Sequence, residues 1–155
     1  MTSNLFPAVS ATVAESVDAA LVGELLGRYL VTLDDEVPDE AWARSLFTEN
    51  AVVTFPVSRH EGRAGLAEWH RASLAAFAAT QHLGSPAVVT VTGDRAVFRA
   101  NVLTTHVHHS GGDRPPLFRA GTLASGEARR TAAGWRMGEL SFRVLFTEGE
   151  PPARG

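Results

Sequence analysis

The spacing of hydrophobic residues changes near residue 80, and this change limits the possible folds more than any other feature. Before it, apolar residues recur at helical intervals, and after it they alternate as in strands. The longest alternating run extends from Arg95 to His109 and places one set of side chains on a single face, namely Ala96, Phe98, Ala100, Val102, Thr104, His106 and His108. Helices followed by strands predict an α+β fold, with the helices on one face of a curved antiparallel sheet.

Three helices are predicted in the first half of the chain. Thr12 and Glu15 have the spacing of a capping box and begin a long helix that ends near residues 34–36. Pro38 suits the first turn of a short second helix. After a strand in "NAVVTFPV" and a loop in "RHEGRAG", a third helix is expected from roughly Leu66 to Ala79.

The second half predicts four strands in a meander, over residues 87–92, 95–109, 117–130 and 135–146. Gly93 and Asp94 form the two-residue turn between the first two strands. Residues 1–11 and 148–155 are rich in Pro, Ser, Gly and charge, so they are expected to be flexible ends. A single domain is therefore predicted over residues 12–147.

Composition excludes several classes of function. The net charge is −3 and basic residues are scattered, which is atypical of a nucleic-acid-binding protein. The chain has no cysteine, no run of about 18 apolar residues and no signal-peptide pattern. We expect a cytoplasmic protein that binds neither nucleic acid nor membrane.

Histidines are the candidate reactive groups. His82, in "TQHLGSP", opens a strand where an apolar residue would be more usual, and His106 continues the small, apolar face of the 95–109 strand. His106 has two interpretations, a reactive group in a cavity or a core-edge residue bonded to a backbone carbonyl. His108 and His109 are expected to be solvated near a strand end. Because "HVHH" has no further ligand at suitable local spacing, we expect no metal. No glycine-rich phosphate loop opens a helix, so nucleotide binding has no local signal, and we expect no cofactor.

Several segments together resemble one known family. They are "YLVTLDD", "AWARSLFTENAVVTF", "GRAGLAEW", "TQHLG", "GDRAVFRANVLTTH" and "GWRMGELSF", which span about residues 17–147. In order and spacing they resemble the SnoaL-like branch of the nuclear-transport-factor-2-like superfamily. The nearest functional analogy is with scytalone dehydratase-type and polyketide cyclase-type enzymes.

The resemblance implies a cone-shaped sheet closed by three helices over a deep apolar pocket. It also implies three catalytic positions, which in this chain are Asp34, His82 and His106, although Asp35 is adjacent to the first. The pocket residues that would bind substrate are Tyr29, Phe55, Trp69, Phe98 and Val102. A His held by a carboxylate can remove an acidic proton beside a carbonyl and later return it.

The chain also departs from scytalone dehydratase, because Leu33 and Phe55 stand where that family has carbonyl-polarising tyrosines. A dehydratase, cyclase or isomerase acting on a polyketide-like or other apolar secondary metabolite is therefore expected. The alternatives are a non-catalytic small-molecule-binding protein and a structural partner subunit. Apolar residues on the opposite strand face, Val97, Leu103 and Val107, predict a homodimer, with a trimer as the alternative.

Overall fold

The structure, a computed structural model, describes residues 12–153. It contains three helices, α1 (Val13–Asp35), α2 (Glu40–Leu46) and α3 (Leu66–Leu74). The predicted capping box is confirmed, since the Thr12 hydroxyl accepts from the Glu15 backbone and the Glu15 carboxylate accepts from the Thr12 backbone. The N-cap of α2 is Asp39, so this helix begins slightly later than Pro38 predicts.

Helix α3 is shorter than expected, because it ends at Leu74 and not near Ala79. The alanine-rich sequence favours a helix here, but Ala79 already pairs with Val107 in the sheet. Phe77 lies between the two elements and packs against the His106 ring, with centroids 4.4 Å apart. Tertiary packing and strand pairing thus override local helix propensity.

Seven strands form one sheet: β1 (Phe47–Phe55), β2 (Ser58–Glu61), β3 (Ala79–Gly84), β4 (Val88–Thr92), β5 (Arg95–Val107), β6 (Leu117–Thr131) and β7 (Gly134–Glu148). Their order is β2-β1-β7-β6-β5-β3, and β4 also pairs with β5. All pairs are antiparallel except β1 with β7, which is parallel. The α+β fold and the β4–β7 meander are confirmed.

Two local predictions need correction. The segment expected to be a loop, "RHEGRAG", begins inside β2, where His60 pairs with Val53 and Glu61 with Val52. His82 does not open its strand but is the fourth residue of β3. In contrast, Gly93 and Asp94 form the expected turn, because Thr92 pairs with Arg95 and Gly93 has a φ of 63°.

The alternation along β5 separates a core face from an outer face. Ala96, Phe98, Ala100, Val102 and Thr104 are all buried, as the sequence predicts. Bulges between β6 and β7 occur at Gly121/Thr122 and Glu127/Ala128, and bulges increase strand twist. Near the second bulge, a Cβ on Gly126 would overlap the Glu139 carbonyl oxygen, so only glycine fits this crossing.

A polar cluster joins the first half of α1 to the far end of the sheet. Arg130 donates two hydrogen bonds to the Asp18 carboxylate and a third to Asp94, and its guanidinium lies 4.7 Å from the Trp135 ring centroid. The hydrogen bond from Arg130 and another from Trp135 lower the pKa of Asp18. These contacts orient α1 across the sheet, with its C-terminal end toward β3.

The predicted domain boundaries can be compared with the structure only at the C-terminal end. Segment 1–11 lies outside the described residues. At the other end, β7 continues to Glu148, and the carbonyl of Glu150 accepts a hydrogen bond from His108. None of the helices within residues 12–153 combines the length and hydropathy required to cross a membrane.

Candidate active site

The Asp34 carboxylate, at the end of α1, accepts three hydrogen bonds from β3. The Thr80 hydroxyl and the His82 ring nitrogen Nδ1 both donate to Oδ1, at 2.9 and 2.6 Å. The His82 backbone N–H donates to Oδ2 at 2.7 Å. Although Asp34 has an exposed backbone, its side chain is only 19% exposed and that of His82 13%. Asp34 and His82 therefore form a largely covered dyad.

The close approach of α1 to β3 explains why Asp34 reaches this strand. Leu30 and Leu33 are buried on the face of α1 that packs toward the sheet. At Gly84 the strand offers no side chain, and a Cβ there would lie 2.8 Å from Cδ1 of Leu30. Because glycine permits this contact, the last turn of α1 comes to lie beside Thr80 and His82.

The hydrogen bond to Asp34 sets the tautomer of His82. A carboxylate accepts, so Nδ1 carries the proton and Nε2 of the neutral ring keeps its lone pair. In residues 12–153, the one buried side-chain polar atom without a partner is Nδ1 of His108. Nε2 of His82 has no partner within this range either, and it is not among the fully buried atoms, so the protein does not seal it off completely. In this tautomer, Nε2 is the ring nitrogen that can accept a hydrogen bond.

His106 lies on the same face of the sheet, on the neighbouring strand. Thr80 pairs with His106 and His82 with Thr104, which makes the two rings diagonal neighbours across β3 and β5. His106 donates from Nδ1 to the Phe118 carbonyl at 2.9 Å, and its ring lies between those of Phe77 and Phe118.

The environment of His106 keeps its ring neutral. Burial is the main cause that lowers the pKa of His106, opposed by the Phe118 hydrogen bond. Within the described residues its Nε2 has no partner and is not fully buried, as for His82. The backbone-bonded interpretation of His106 is therefore correct for Nδ1, while Nε2 remains available for a ligand. The structure brings Asp34, His82 and His106 to one face, and their catalytic roles stay a prediction.

The five predicted substrate-binding residues divide into two groups. Tyr29, Phe98 and Val102 are packed into the core, at 0%, 3% and 2% exposure. Phe55 and Trp69 are partly exposed and stack with ring centroids 4.4 Å apart. The second group has surface that a ligand can contact in the described conformation, whereas the first has almost none. Their role in binding stays a prediction.

A buried histidine, His70, was not identified from the sequence. Its Nδ1 donates to the Leu66 carbonyl at 2.8 Å, and its Nε2 lies 2.9 Å from the Tyr29 hydroxyl. Burial lowers the pKa of His70 to about 4. The four-residue spacing from Leu66 was the available signal, because it places His70 on the inner face of α3.

Two other histidines near the end of β5 differ in their surroundings. His108 is 5% exposed and donates from Nε2 to the Glu150 carbonyl at 2.8 Å. The expectation that it is solvated is wrong, because the inward alternation of β5 continues to it and the C-terminal segment covers it. His109 is exposed, as expected, and bonds to the Ala75 carbonyl.

A cleft of about 350 Å³ borders Asp34, although neither His82 nor His106 lines it. Its lining includes Leu33, Asp34, Leu74, Phe77 and Thr80. The resemblance predicts a deep pocket, but in the core aromatic side chains pack against one another, namely Tyr29, Trp42, Phe47 and His70. A larger cleft of about 410 Å³ lies on the outer sheet face, away from Asp34 and His82. We take the smaller one as the candidate site because it includes the dyad carboxylate.

A comparison with known families decides the classification. The SnoaL-like domain profile matches residues 14–141. The chain belongs to the SnoaL-like family. Its fold is that of the nuclear-transport-factor-2-like superfamily, as the quoted motifs predict. No curated protein sequence matches this SnoaL-like chain.

Solved structures show the same fold. The Kfla4162 protein from Kribbella flavida is 30% identical, with a TM-score of 0.78 over 86% of this chain and 94% of that one. A candidate scytalone dehydratase from Novosphingobium aromaticivorans is 21% identical, with a TM-score of 0.73 over 87% and 92%. A type 2 hexachlorocyclohexane dehydrochlorinase is 15% identical, with a TM-score of 0.75 over 93% and 97%. The last two likenesses show the fold alone.

Proposed function

We propose that this SnoaL-like domain is a cofactor-free lyase, cyclase or isomerase that acts on a polyketide-like or other apolar secondary metabolite. The observation that carries the proposal is the Asp34–His82 dyad, in which the carboxylate accepts the Nδ1–H and leaves Nε2 as the other ring nitrogen. The apolar part of the cleft, with Leu33, Leu74 and Phe77, suits an apolar ligand. Its volume of about 350 Å³ lies at the lower end of the range for small-molecule sites.

His82 is the proposed general base. Its Nε2 takes a proton from a carbon beside a carbonyl, and the resulting imidazolium is stabilised by the Asp34 carboxylate. In a dehydration, the electron pair of the broken C–H bond forms a C=C bond as hydroxide leaves, and the imidazolium returns the proton to give water. In an isomerisation the proton returns to another carbon. Both reactions need only these proton transfers and the loss of the leaving group, with no oxidant or reductant.

His106 is proposed to recognise a substrate hydroxyl. A neutral ring whose Nδ1–H already donates to Phe118 has only an acceptor left, at Nε2. The lowered pKa of His106 keeps the ring in this form near neutral pH. A hydrogen bond from a substrate hydroxyl to Nε2 of His106 would orient the substrate so that its acidic C–H bond faces His82.

Two of the distant structural relatives are named as a dehydratase and a dehydrochlorinase, and both names agree with the proposed reaction class. Dehydration and dehydrochlorination both remove a proton and a leaving group from adjacent carbons. Because those proteins are only 21% and 15% identical to this chain, the likeness is one of fold, and it identifies neither the reaction nor the substrate.

Proton exchange offers a test that needs no natural substrate. A panel of aromatic β-hydroxyketones is incubated with the protein in D₂O, and NMR follows deuterium entry beside the carbonyl and the appearance of enone. We expect His82→Ala to lose about 10²-fold or more of the rate, the usual contribution of a general base. Asp34→Asn should also slow exchange, whereas Asp35→Asn, the matched control for the exposed neighbouring carboxylate, should retain it. Wild-type rates in both His82→Ala and Asp34→Asn would refute the catalytic proposal.

A second candidate function is non-catalytic binding of a small molecule. It is favoured by Leu33 and Phe55 at the places where the resembled dehydratase has tyrosines, since neither can polarise a carbonyl. Saturable binding of the same ketones, measured by calorimetry, without exchange or conversion would support this candidate over the enzyme.

We also propose that the chain is a homodimer that pairs through the outer face of its sheet. Leu83, Leu103 and Phe146 follow one row across this face and are 65%, 37% and 55% exposed. Neighbouring rows carry both signs of charge, with Arg99 and Arg143 nearer the apolar row and Glu127 and Glu139 beyond them. In a two-fold pairing, arginines of one copy can meet glutamates of the other.

Light scattering after size-exclusion chromatography tests the pairing. We expect the mass of two chains for the wild type and of one chain for Leu103→Glu, with Val13→Glu, an exposed position on α1, as the matched control. A monomeric or trimeric wild type, or a Leu103→Glu variant that remains dimeric, would contradict this interface.

A further inference from the structure

Thr80 lies next to all three candidate catalytic residues. It shares the inner face of β3 with His82, two residues further along, and it pairs with His106 on β5. Its hydroxyl donates to Asp34 at 2.9 Å. Valine would fill a similar volume and favour a strand as well, so the hydroxyl is the feature that distinguishes threonine at this position.

The Thr80 hydroxyl and the His82 ring donate hydrogen bonds to the same carboxylate oxygen of Asp34. Among the described residues, Oδ1 of Asp34 receives both the Thr80 hydroxyl and the Nδ1–H of His82, whereas Oδ2 receives only the His82 backbone N–H. A donor at Oδ1 stabilises the ionised carboxylate, which keeps the shared proton on the imidazole. It also adds a second anchoring residue on β3, which restrains rotation of the carboxylate away from the ring.

We propose that Thr80 is a positioning residue that, through Asp34, holds His82 in the tautomer with Nδ1 protonated and Nε2 free. Without the hydroxyl, the His82 ring is the one donor left at Oδ1 in the described residues, and the carboxylate is held to β3 through the His82 backbone N–H at Oδ2 alone. The ring then samples its other tautomer, in which Nε2 carries the proton and cannot act as a base. The importance of this effect for turnover rests on the proposed function, but the tautomer itself does not.

The tautomer can be measured directly by NMR. Long-range ¹H–¹⁵N spectra of ¹⁵N-labelled protein at about pH 8, above the ordinary pKa range of histidine, distinguish a protonated Nδ1 from a protonated Nε2. We expect wild type and Thr80→Ser to show the pure Nδ1–H pattern for His82, and Thr80→Val to show averaged signals from both tautomers. Thr92→Val, an exposed threonine on β4, is the matched control and should leave the pattern unchanged.

His70 provides an internal check of folding, because its Nδ1 also donates to a fixed acceptor, the Leu66 carbonyl. If Thr80→Val disturbs the His70 signals as well, Thr80→Ala replaces it as the test variant. An unchanged His82 pattern in a variant without the hydroxyl and with intact His70 signals would overturn the proposal.

Kinetics separate this inference from the proposed function. With a ketone that the wild type converts, loss of the hydroxyl should lower kcat about 10-fold, the effect of one hydrogen bond to a charged group, with little change in KM. Thr80→Ser should recover most of the rate. A shifted tautomer with unchanged kcat would uphold the positioning role and refute His82 as the base, whereas an unshifted tautomer would refute the positioning role itself.

Discussion

Lowering the pH from about 8 to 5 should destabilise the folded chain through His70. Its side chain is almost fully buried, at 1% exposure, and both ring nitrogens are engaged by neutral partners. Nδ1–H donates to Leu66, and Nε2 accepts from Tyr29, whose hydroxyl keeps its proton because burial raises the pKa of Tyr29. A second proton on the ring would turn Nε2 from an acceptor into a donor, so the Tyr29 O–H would lose its acceptor, and it would place a charge among aromatic side chains.

The sign and size of this effect follow from the two states of His70. The pKa of His70 is lowered from 6.5 to about 4 on folding, chiefly by burial. The unfolded chain therefore binds more protons, so the stabilisation is fully present above about pH 6.5 and is lost as the pH falls toward 4. The full difference in the pKa of His70 corresponds to about 3 kcal/mol in the free energy of unfolding, of which about 2 kcal/mol is lost by pH 5. The lowered pKa of His106 acts in the same direction.

Urea unfolding followed by circular dichroism at both pH values measures this loss. His70→Phe keeps an aromatic ring in the cluster but does not titrate. It should be less stable than wild type at pH 8 by about 1–3 kcal/mol, since the Tyr29 hydroxyl loses its acceptor. Its own loss between pH 8 and 5 should be smaller than that of wild type by about 2 kcal/mol.

The control is His109→Ala, which removes an exposed histidine and should keep the wild-type pH dependence. Equal pH dependence in wild type and His70→Phe would refute the assignment of the effect to His70.

Two further stability predictions concern packing, and thermal unfolding checks both. Leu66→Ala removes a side chain with 0% exposure and should cost about 2–5 kcal/mol, so a loss under about 1 kcal/mol would mean that the site is not tightly packed. Gly126→Ala should lower Tm strongly, because its Cβ would overlap the Glu139 backbone, whereas Gly27→Ala, in an open position on α1, should raise stability by about 0.5–1 kcal/mol. Equal effects of the two glycine substitutions would contradict the close approach of Gly126 to the Glu139 backbone.

The elements themselves were largely predictable from local patterns. The capping box at Thr12, the turn at Gly93 and the inward face of β5 depend on residues close in sequence, and all are found as expected. The errors occur where long-range contacts compete with local preference. The end of α3 and the start of β3 are set by pairing with β5, and His108 is buried because residues more than 40 positions later cover it.

The residues of the candidate site differ in how far the sequence could identify them. The strand pattern identifies His82 and His106 as candidates, but Asp34 and the grouping of all three come from the family resemblance, since no local pattern connects Asp34 with a residue 48 positions later. The buried partner of Tyr29, His70, was missed although its spacing from Leu66 placed it on an inner helix face. Thr80 was missed because a strand threonine usually needs no explanation beyond its β propensity.

By itself, the sequence determined the order of helices and strands and which face of β5 is apolar, because these depend on periodicity over a few residues. Only the tertiary structure decided between Asp34 and Asp35. Both carboxylates lie in the last turn of α1, but the packing of Leu30 against Gly84 rotates the first toward β3 and leaves the second in solvent. A helix presents adjacent residues about 100° apart, so the packing of the whole helix determines which carboxylate meets the histidine.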